Sequence, residues 1–138
     1  MRILTTSKVL AGAAWVAMAG ACVADELPAF RKGVWEFNRT VESSPGKTQT
    51  LTRKECTSPS DDMKKSKAAG LKGCTFSPVT SSGNSYSFTT TCNLQGATMM
   101  SKSVITAESD SAYKIKVETR YGDRIGNELL VARRTGDC

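Results

Sequence analysis

Two cysteines, Cys74 and Cys92, bracket a stretch that mirrors itself about Gly83. If the chain turns at Ser82-Gly83-Asn84, residues equally far from Gly83 face each other on antiparallel strands. The predicted pairs are Cys74 with Cys92, Phe76 with Thr90, Pro78 with Phe88, and Thr80 with Tyr86. Directly opposed residues are close enough for a disulfide, and the larger side chains of both halves fall on one face. The stretch therefore predicts a disulfide-closed β-hairpin that turns Phe76 and Phe88 inward.

The first residues of the chain have the composition of a secretory signal peptide. Arg2 and Lys8 precede an apolar run over residues 9–19, and small residues follow as far as Ala24. A charged start, an apolar run of this length and a small-residue cleavage site are typical of such a leader. The run is also too short to span a bilayer. We expect residues 1–24 to be a signal peptide and cleavage to follow Ala24.

Cys22 leaves an alternative open. Ala19-Gly20-Ala21-Cys22 loosely resembles the lipobox at which bacterial lipoproteins are cut and acylated, although the usual large aliphatic residue is missing. Cleavage between Ala19 and Cys22 is the alternative position, and a lipid on Cys22 would anchor the product to a membrane. With either cleavage position we expect an exported protein, periplasmic or secreted, without a transmembrane segment.

Residues 25–138 are long enough for one domain and contain four cysteines, Cys56, Cys74, Cys92 and Cys138. An even number of cysteines in a short exported chain predicts two disulfides. The hairpin symmetry favours Cys74–Cys92 among the three pairings, and Cys56–Cys138 follows by elimination. The chain-entropy model assigns roughly 3 and 4–5 kcal/mol to loops of these lengths. We expect the fold to need both bridges.

Alternating side chains predict a mainly β domain. The clearest strand runs from Ala112 to Tyr121, where Tyr113, Ile115 and Val117 face one way and charged residues face the other. A first strand, Gly33 to Val41, places Trp35 and Phe37 on one face, with Arg39 as the exception to its pattern. The other predicted strands are Lys47 to Cys56, the two hairpin halves, residues 97–106, and Glu128 to Thr135 after a loop at 122–127.

One segment has the signals of a helix. Ser58 is a suitable N-cap residue, and proline, here Pro59, is favoured in the first turn of a helix. Asp61 and Asp62 would lie near the positive end of the helix dipole, and Gly70 can terminate the helix. The segment has little apolar surface besides one methionine and a few alanines. We expect this helix to lie on the outside or to act as a polar lid.

These elements define the predicted fold class. About seven short strands and one helix favour a single curved antiparallel meander, a half-barrel or barrel-like sheet. The strands carry fewer large apolar residues than two packed sheets need, so one sheet wrapped around its own apolar face fits better than a sandwich. Disulfides commonly supplement so small a core.

The ordered features resemble a known family. They are Gly33-x-Trp35-Glu36, Cys56 before a Thr-Ser-Pro helix start, Cys74 and Cys92 around a Ser/Gly/Asn turn, and a terminal Gly136-Asp137-Cys138. In this order they resemble the bacterial exported proteins catalogued as domain of unknown function 3617, over about residues 33–138. The resemblance implies export and a β fold, and it implies no activity.

The composition excludes several kinds of chemistry. The chain contains no histidine, so the usual Ser-His-Asp and Cys-His catalysis and the commonest metal ligand are absent. The cysteines are too widely spaced for a zinc site, and the adjacent Met99 and Met100 would point to opposite faces of a strand instead of sharing a copper ion. The net charge of +6 is scattered along the chain, which argues against nucleic-acid binding. We expect no cofactor and no metal.

Three functional hypotheses remain. The first is a non-enzymatic module that binds an apolar ligand or an envelope component on the concave face of the sheet. The second is a protein-protein interaction module using an edge strand or the basic outer face. The third is a hydrolase using carboxylates such as Glu36, Glu118 and Glu128, whose spacing defines no acid pair. The candidate ligand face of the first hypothesis consists of Trp35, Phe37, Phe76, Phe88, Tyr113, Ile115 and Val117.

Overall fold

The computed structural model describes residues 26–43, 46–70 and 72–138. The predicted signal peptide and the alternative lipid site at Cys22 lie outside these residues. The described elements, in chain order, are β1 (Gly33–Ser43), β2 (Lys47–Thr57), α1 (Pro59–Ala69), β3 (Cys74–Phe76), β4 (Thr80–Ser82), β5 (Ser85–Leu94), β6 (Ala97–Ser109), β7 (Ala112–Tyr121) and β8 (Arg124–Gly136).

The strands form one antiparallel sheet in the order β2-β1-β8-β7-β6-β5-β3, with β4 also paired to β5. The first and last long strands are neighbours, because β1 pairs with β8 along its whole length. The sheet is not closed: β2 is one edge, and β3 and β4 together form the other. For the described residues, a mainly β, single-sheet fold with one helix is therefore confirmed, with eight strands where the sequence predicted about seven.

The extra strand comes from the hairpin. Cys74 pairs with Cys92 and Phe76 with Thr90, as the sequence predicted. Beyond that point the predicted register is wrong by one residue, because Thr80 pairs with Ser87 and not with Tyr86.

The slip has a local cause at Pro78, which was predicted to pair with Phe88. Proline has no N–H for the ladder, and residues 77–79 leave the strand between β3 and β4. Ser77 bridges the gap, since its N–H donates to the Thr89 carbonyl (2.8 Å) and its Oγ accepts from the Thr89 N–H (2.8 Å). The shifted register leaves a two-residue turn with Gly83 at φ +59°, the first-position glycine of a type II′ turn.

The last strand also differs from its prediction. It begins at Arg124, so the loop predicted over residues 122–127 is wrong and shrinks to a two-residue turn in which Gly122 has φ +58°. Gly126 hid the strand, because a glycine interrupts the alternation of side chains from which strands are recognised.

Helix α1 has the predicted bounds, with Ser58 before it and Gly70 after it. Ser58 makes no side-chain capping hydrogen bond, so that part of the prediction is wrong. Two other contacts secure the start of the helix: Thr57 Oγ1 donates to the Asp62 carboxylate, and the N–H of Phe30 donates to Ser60 Oγ at 2.6 Å.

The core lies at one end of the curved sheet. Trp35 is fully buried, and its indole N–H donates to the carbonyl of Arg31 at 3.0 Å. Phe30, from the segment before β1, packs edge-on against Trp35 with ring centroids 6.1 Å apart. The segment before β1 therefore closes this end of the sheet.

Both predicted disulfides are present, Cys56–Cys138 and Cys74–Cys92. Cys74–Cys92 joins the short edge strand β3 to β5. Cys56–Cys138 reaches from the other edge strand, β2, across β1 to the residues after β8. Each edge of the open sheet is thus held by one covalent bridge. Across the described ranges, no helix is long and apolar enough to cross a membrane.

Candidate functional site

A cavity of about 890 Å³ occupies the inner face of the sheet, the face that carries Phe37, Phe88 and Tyr113. Residues of both edge strands and of α1 line it, so the sheet curls enough to bring its two edges and the helix around one space. We call it the central cavity. Its lining includes Leu27, Phe37, Arg39, Leu51, Arg53, Glu55, Pro59, Asp62, Met63, Ser66, Lys67, Ala69, Phe76, Val79, Phe88, Ile105, Tyr113, Ile115, Glu128 and Leu130.

Five of the seven residues predicted from the sequence as a ligand face lie together around the central cavity: Phe37, Phe76, Phe88, Tyr113 and Ile115. They come from β1, β3, β5 and β7 because the period of two places alternate residues of every strand on the inner face. Phe76 and Phe88 have ring centroids 6.4 Å apart, which makes them neighbours on the wall beside the Cys74–Cys92 bridge.

The other two predicted residues, Trp35 and Val117, are not among the residues that line the cavity. Trp35 is covered by other rings and has no exposed surface to offer a ligand. It lies 5.5 Å from Tyr113 and 6.4 Å from Phe37, centroid to centroid. Val117 is half-buried between Ser103 on β6 and Glu128 on β8. Trp35 therefore supports the wall from behind and does not form part of it.

An ion pair crosses the junction between the first and last strands. Arg39 on β1 donates from Nε and Nη2 to the two carboxylate oxygens of Glu128 on β8, at 2.6 and 2.7 Å. This bidentate contact raises the pKa of Arg39, chiefly through the hydrogen bond to Glu128 and then through its charge. Arg39 broke the apolar pattern of the first strand, and its inward position is explained by this partner.

A second arginine lies at the β2 edge of the cavity. The guanidinium of Arg53 is 5.2 Å from the ring centroid of Phe37, a cation-π distance. Its Nη2 also lies 2.9 Å from the carboxylate of Glu55, two residues along the same strand. Both charged groups are well exposed, so this pair forms part of the cavity mouth and not of its apolar wall.

Tyr113 is the most deeply buried polar group of the lining, with 3% of its surface exposed. Its ring stacks on Phe30 with centroids 4.4 Å apart. The pKa of its hydroxyl is raised to about 12, chiefly by burial and then by the charge of Asp62, while the charge of Arg53 acts in the opposite direction. At neutral pH the hydroxyl is therefore a protonated hydrogen-bond donor.

Sequence reasoning allowed α1 to act as a polar lid, but it named no residue of α1 or of β2 for the site. Asp62, Met63, Ser66 and Ala69 face the cavity from the helix, and Leu51 faces it from the edge strand. Met63 is the one large apolar residue of the helix, and this was the feature of the sequence that could have indicated which side of the helix faces the sheet. The threonine-rich sequence of β2 does not show which face of the strand is buried, so Leu51 could not be assigned to the cavity from the sequence.

The carboxylates considered for a hydrolase do not come together. Glu128 faces the cavity and is bound by Arg39. Glu36 and Glu118 occupy the opposite face of the sheet, where Glu118 accepts a hydrogen bond from Arg120 at 2.9 Å. Within the described part of the chain, no group of three or more His, Cys, Asp or Glu side chains is arranged to hold a metal ion.

In the described residues, the fold and the cavity define a small, disulfide-linked β protein whose curved sheet and helix α1 surround a largely apolar space that is open at its mouth. A family model described as a protein of unknown function (DUF3617) matches residues 30–138. The chain belongs to this family, as the cysteine order and the Gly33-x-Trp35 motif indicated. Searches of curated proteins and of solved structures found no significant match.

Proposed function

We propose that this protein is a non-enzymatic binding protein that holds a largely apolar small molecule in the central cavity. The observation that carries the proposal is the space itself: about 890 Å³ bounded by Phe37, Phe76, Phe88, Ile115 and other apolar side chains. Binding sites for small molecules are typically apolar concavities of about 300–1,000 Å³ with few polar groups.

The central cavity is open to solvent at its mouth, so its apolar side chains face water. The transfer of apolar surface out of water is favourable. An apolar occupant would cover these side chains and make dispersion contacts with them, and the binding free energy would come from both effects.

Export fits the same proposal. Two disulfides are typical of oxidising compartments, and the leader predicted over residues 1–24 would direct the chain to the periplasm or out of the cell. An envelope component or another apolar molecule of that compartment would be the ligand.

Native mass spectrometry of protein purified from the cells that make it tests the proposal. We expect a fraction of the protein to carry an added small mass that is lost on mild activation or organic extraction. Detection of the protein only at the mass of its polypeptide, together with failure of the purified protein to bind an apolar probe, would contradict the proposal.

A second candidate function rests on a different observation, the free edge of β2. Among the described strands, β2 pairs only with β1, and one edge of its eleven residues has no neighbouring strand from that part of the chain. An exposed edge can accept a strand from a partner protein. In the same experiment, a co-purifying polypeptide in place of a small mass would favour this interaction function.

A further inference from the structure

The hydroxyl of Tyr113 has no hydrogen-bond partner among the described residues, although 97% of the residue's surface is covered. Among these residues, no side-chain nitrogen or oxygen that is fully enclosed lacks a partner. The hydroxyl is therefore not sealed inside the protein. Since Tyr113 lines the central cavity, the cavity is where this donor is accessible.

Water can pair with this donor while the cavity is open. An apolar ligand that displaces the water leaves the donor unpaired unless the ligand itself supplies an acceptor. Stacking on Phe30 fixes the ring, so an acceptor in the cavity would meet a donor already in place and little side-chain entropy would be lost.

The charges of the lining cancel. Arg39, Arg53 and Lys67 are balanced by Glu55, Asp62 and Glu128. Arg39 is bound to Glu128 and Arg53 to Glu55, and Asp62 accepts a hydrogen bond from Thr57. A charged ligand group that paired with Arg39 or Arg53 would have to displace Glu128 or Glu55, and one that entered the apolar part of the cavity would lack a counter-ion. Both are unfavourable.

We propose that the ligand of the central cavity is an uncharged, largely apolar molecule with a hydrogen-bond-accepting oxygen, such as a carbonyl, that pairs with the Tyr113 hydroxyl. This inference rests on the proposed function. It adds a ligand class and a specificity-determining residue: the aromatic and aliphatic walls hold the body of the molecule, and Tyr113 selects for the acceptor.

Three fluorescent naphthalenes test separately whether the ligand is uncharged and whether Tyr113 binds its acceptor oxygen. N-phenyl-1-naphthylamine is uncharged and has no oxygen acceptor. 1-Anilinonaphthalene-8-sulfonate has the same scaffold with an added negative charge. 6-Propionyl-2-(dimethylamino)naphthalene is uncharged and carries a ketone, whose emission also reports hydrogen bonding. Each is titrated into wild type, Tyr113→Phe and Tyr121→Phe, the last as a matched control because Tyr121 is exposed and lies outside the cavity lining.

We expect Tyr113→Phe to weaken binding of the ketone about 2–10-fold, the range that one net hydrogen bond supports. Its emission should shift to shorter wavelength as the hydrogen bond is lost. Binding of N-phenyl-1-naphthylamine should change less than about 2-fold, and Tyr121→Phe should change neither. The sulfonate should bind wild type less tightly than its uncharged counterpart.

Different results overturn different claims. If N-phenyl-1-naphthylamine binds and Tyr113→Phe leaves the ketone unaffected, or weakens all three probes equally, the role of Tyr113 is wrong. If the sulfonate binds more tightly than its uncharged counterpart, the neutral ligand class is wrong. If none of the probes binds folded wild type, the proposed function itself fails.

Discussion

Phe30 stacks on Tyr113 with ring centroids 4.4 Å apart and planes 28° apart. The contact joins the segment before β1 to the start of β7, the central strand in the order of the sheet. It marks the border between two parts of one inner face. On one side of it, Trp35 is fully buried. On the other side, the central cavity is left unfilled. The same aromatic surface thus provides the core of the protein and the wall of its candidate site.

The disulfides give the first prediction. Replacing Cys56 and Cys138 together by serine should lower the free energy of unfolding by about 4–5 kcal/mol, because the bridge closes a long loop in the unfolded chain. It also holds β2 in place across β1. Urea denaturation measures the change, and an unaltered midpoint would show that the bridge does not stabilise the protein.

The covalent connectivity is checked separately by peptide mapping of the unreduced protein. We expect one linked peptide pair containing Cys74 and Cys92 and another containing Cys56 and Cys138. Recovery of Cys56 linked to Cys74 would contradict both the pairing and the register of β3 on β5.

The start of β1 gives the second prediction. A Cβ atom added at Gly33 would overlap the carbonyl oxygen of Gly136 and the side chain of Arg134, whereas one added at Gly136 meets nothing within 4 Å. Gly33→Ala should therefore destabilise the protein by about 1–3 kcal/mol, the usual cost of overpacking. Gly136→Ala is the matched control on the neighbouring strand and should be close to neutral. Equal midpoints for the two variants in thermal denaturation would refute the close approach at Gly33.

The third prediction concerns stability at high pH. The pKa of Tyr113 is about 12 in the folded protein and about 10 in the unfolded chain. Below pH about 10 both states are protonated and the full stability is present. Between pH about 10 and 12 the unfolded chain releases a proton that the folded protein keeps, so stability falls with rising pH by on the order of 2–3 kcal/mol.

Tyr113→Phe isolates this contribution from other groups that titrate in the same range. The difference in unfolding free energy between wild type and variant should change across that interval and stay constant below it. A difference in tyrosinate absorbance between the two folded proteins should titrate at about pH 12. A difference that titrates near pH 10 would mean that the phenol is not desolvated.

The sequence predicted what depends on local patterns. Alternation identified β7 and the inward position of Tyr113 and Ile115, and the mirror symmetry of Cys74 and Cys92 identified their pairing. Pattern reasoning failed where one residue breaks a period. Pro78 shifted the hairpin by one residue, and Gly126 concealed the first part of β8.

The candidate site was less predictable than the strands because it depends on how far the sheet curls. Curling brings Leu51 on one edge and Phe76 on the other around one cavity, and no local pattern relates these two residues. Arg39 illustrates the same limit. Its inward position violates the pattern of its own strand and is explained by its ion pair with Glu128, 89 residues away.

The central claim is that the cavity is a binding site, and one residue pair on β7 tests it directly. Ile115 lines the cavity, whereas its neighbour Lys116 lies exposed on the opposite face. Ile115→Trp should fill part of the space and weaken the binding of N-phenyl-1-naphthylamine at least about 10-fold, the effect of losing roughly 1.4 kcal/mol. Lys116→Trp adds the same indole to the outside and should leave the dissociation constant unchanged. Equal affinity in the two folded variants, or a greater loss in Lys116→Trp, would contradict the account.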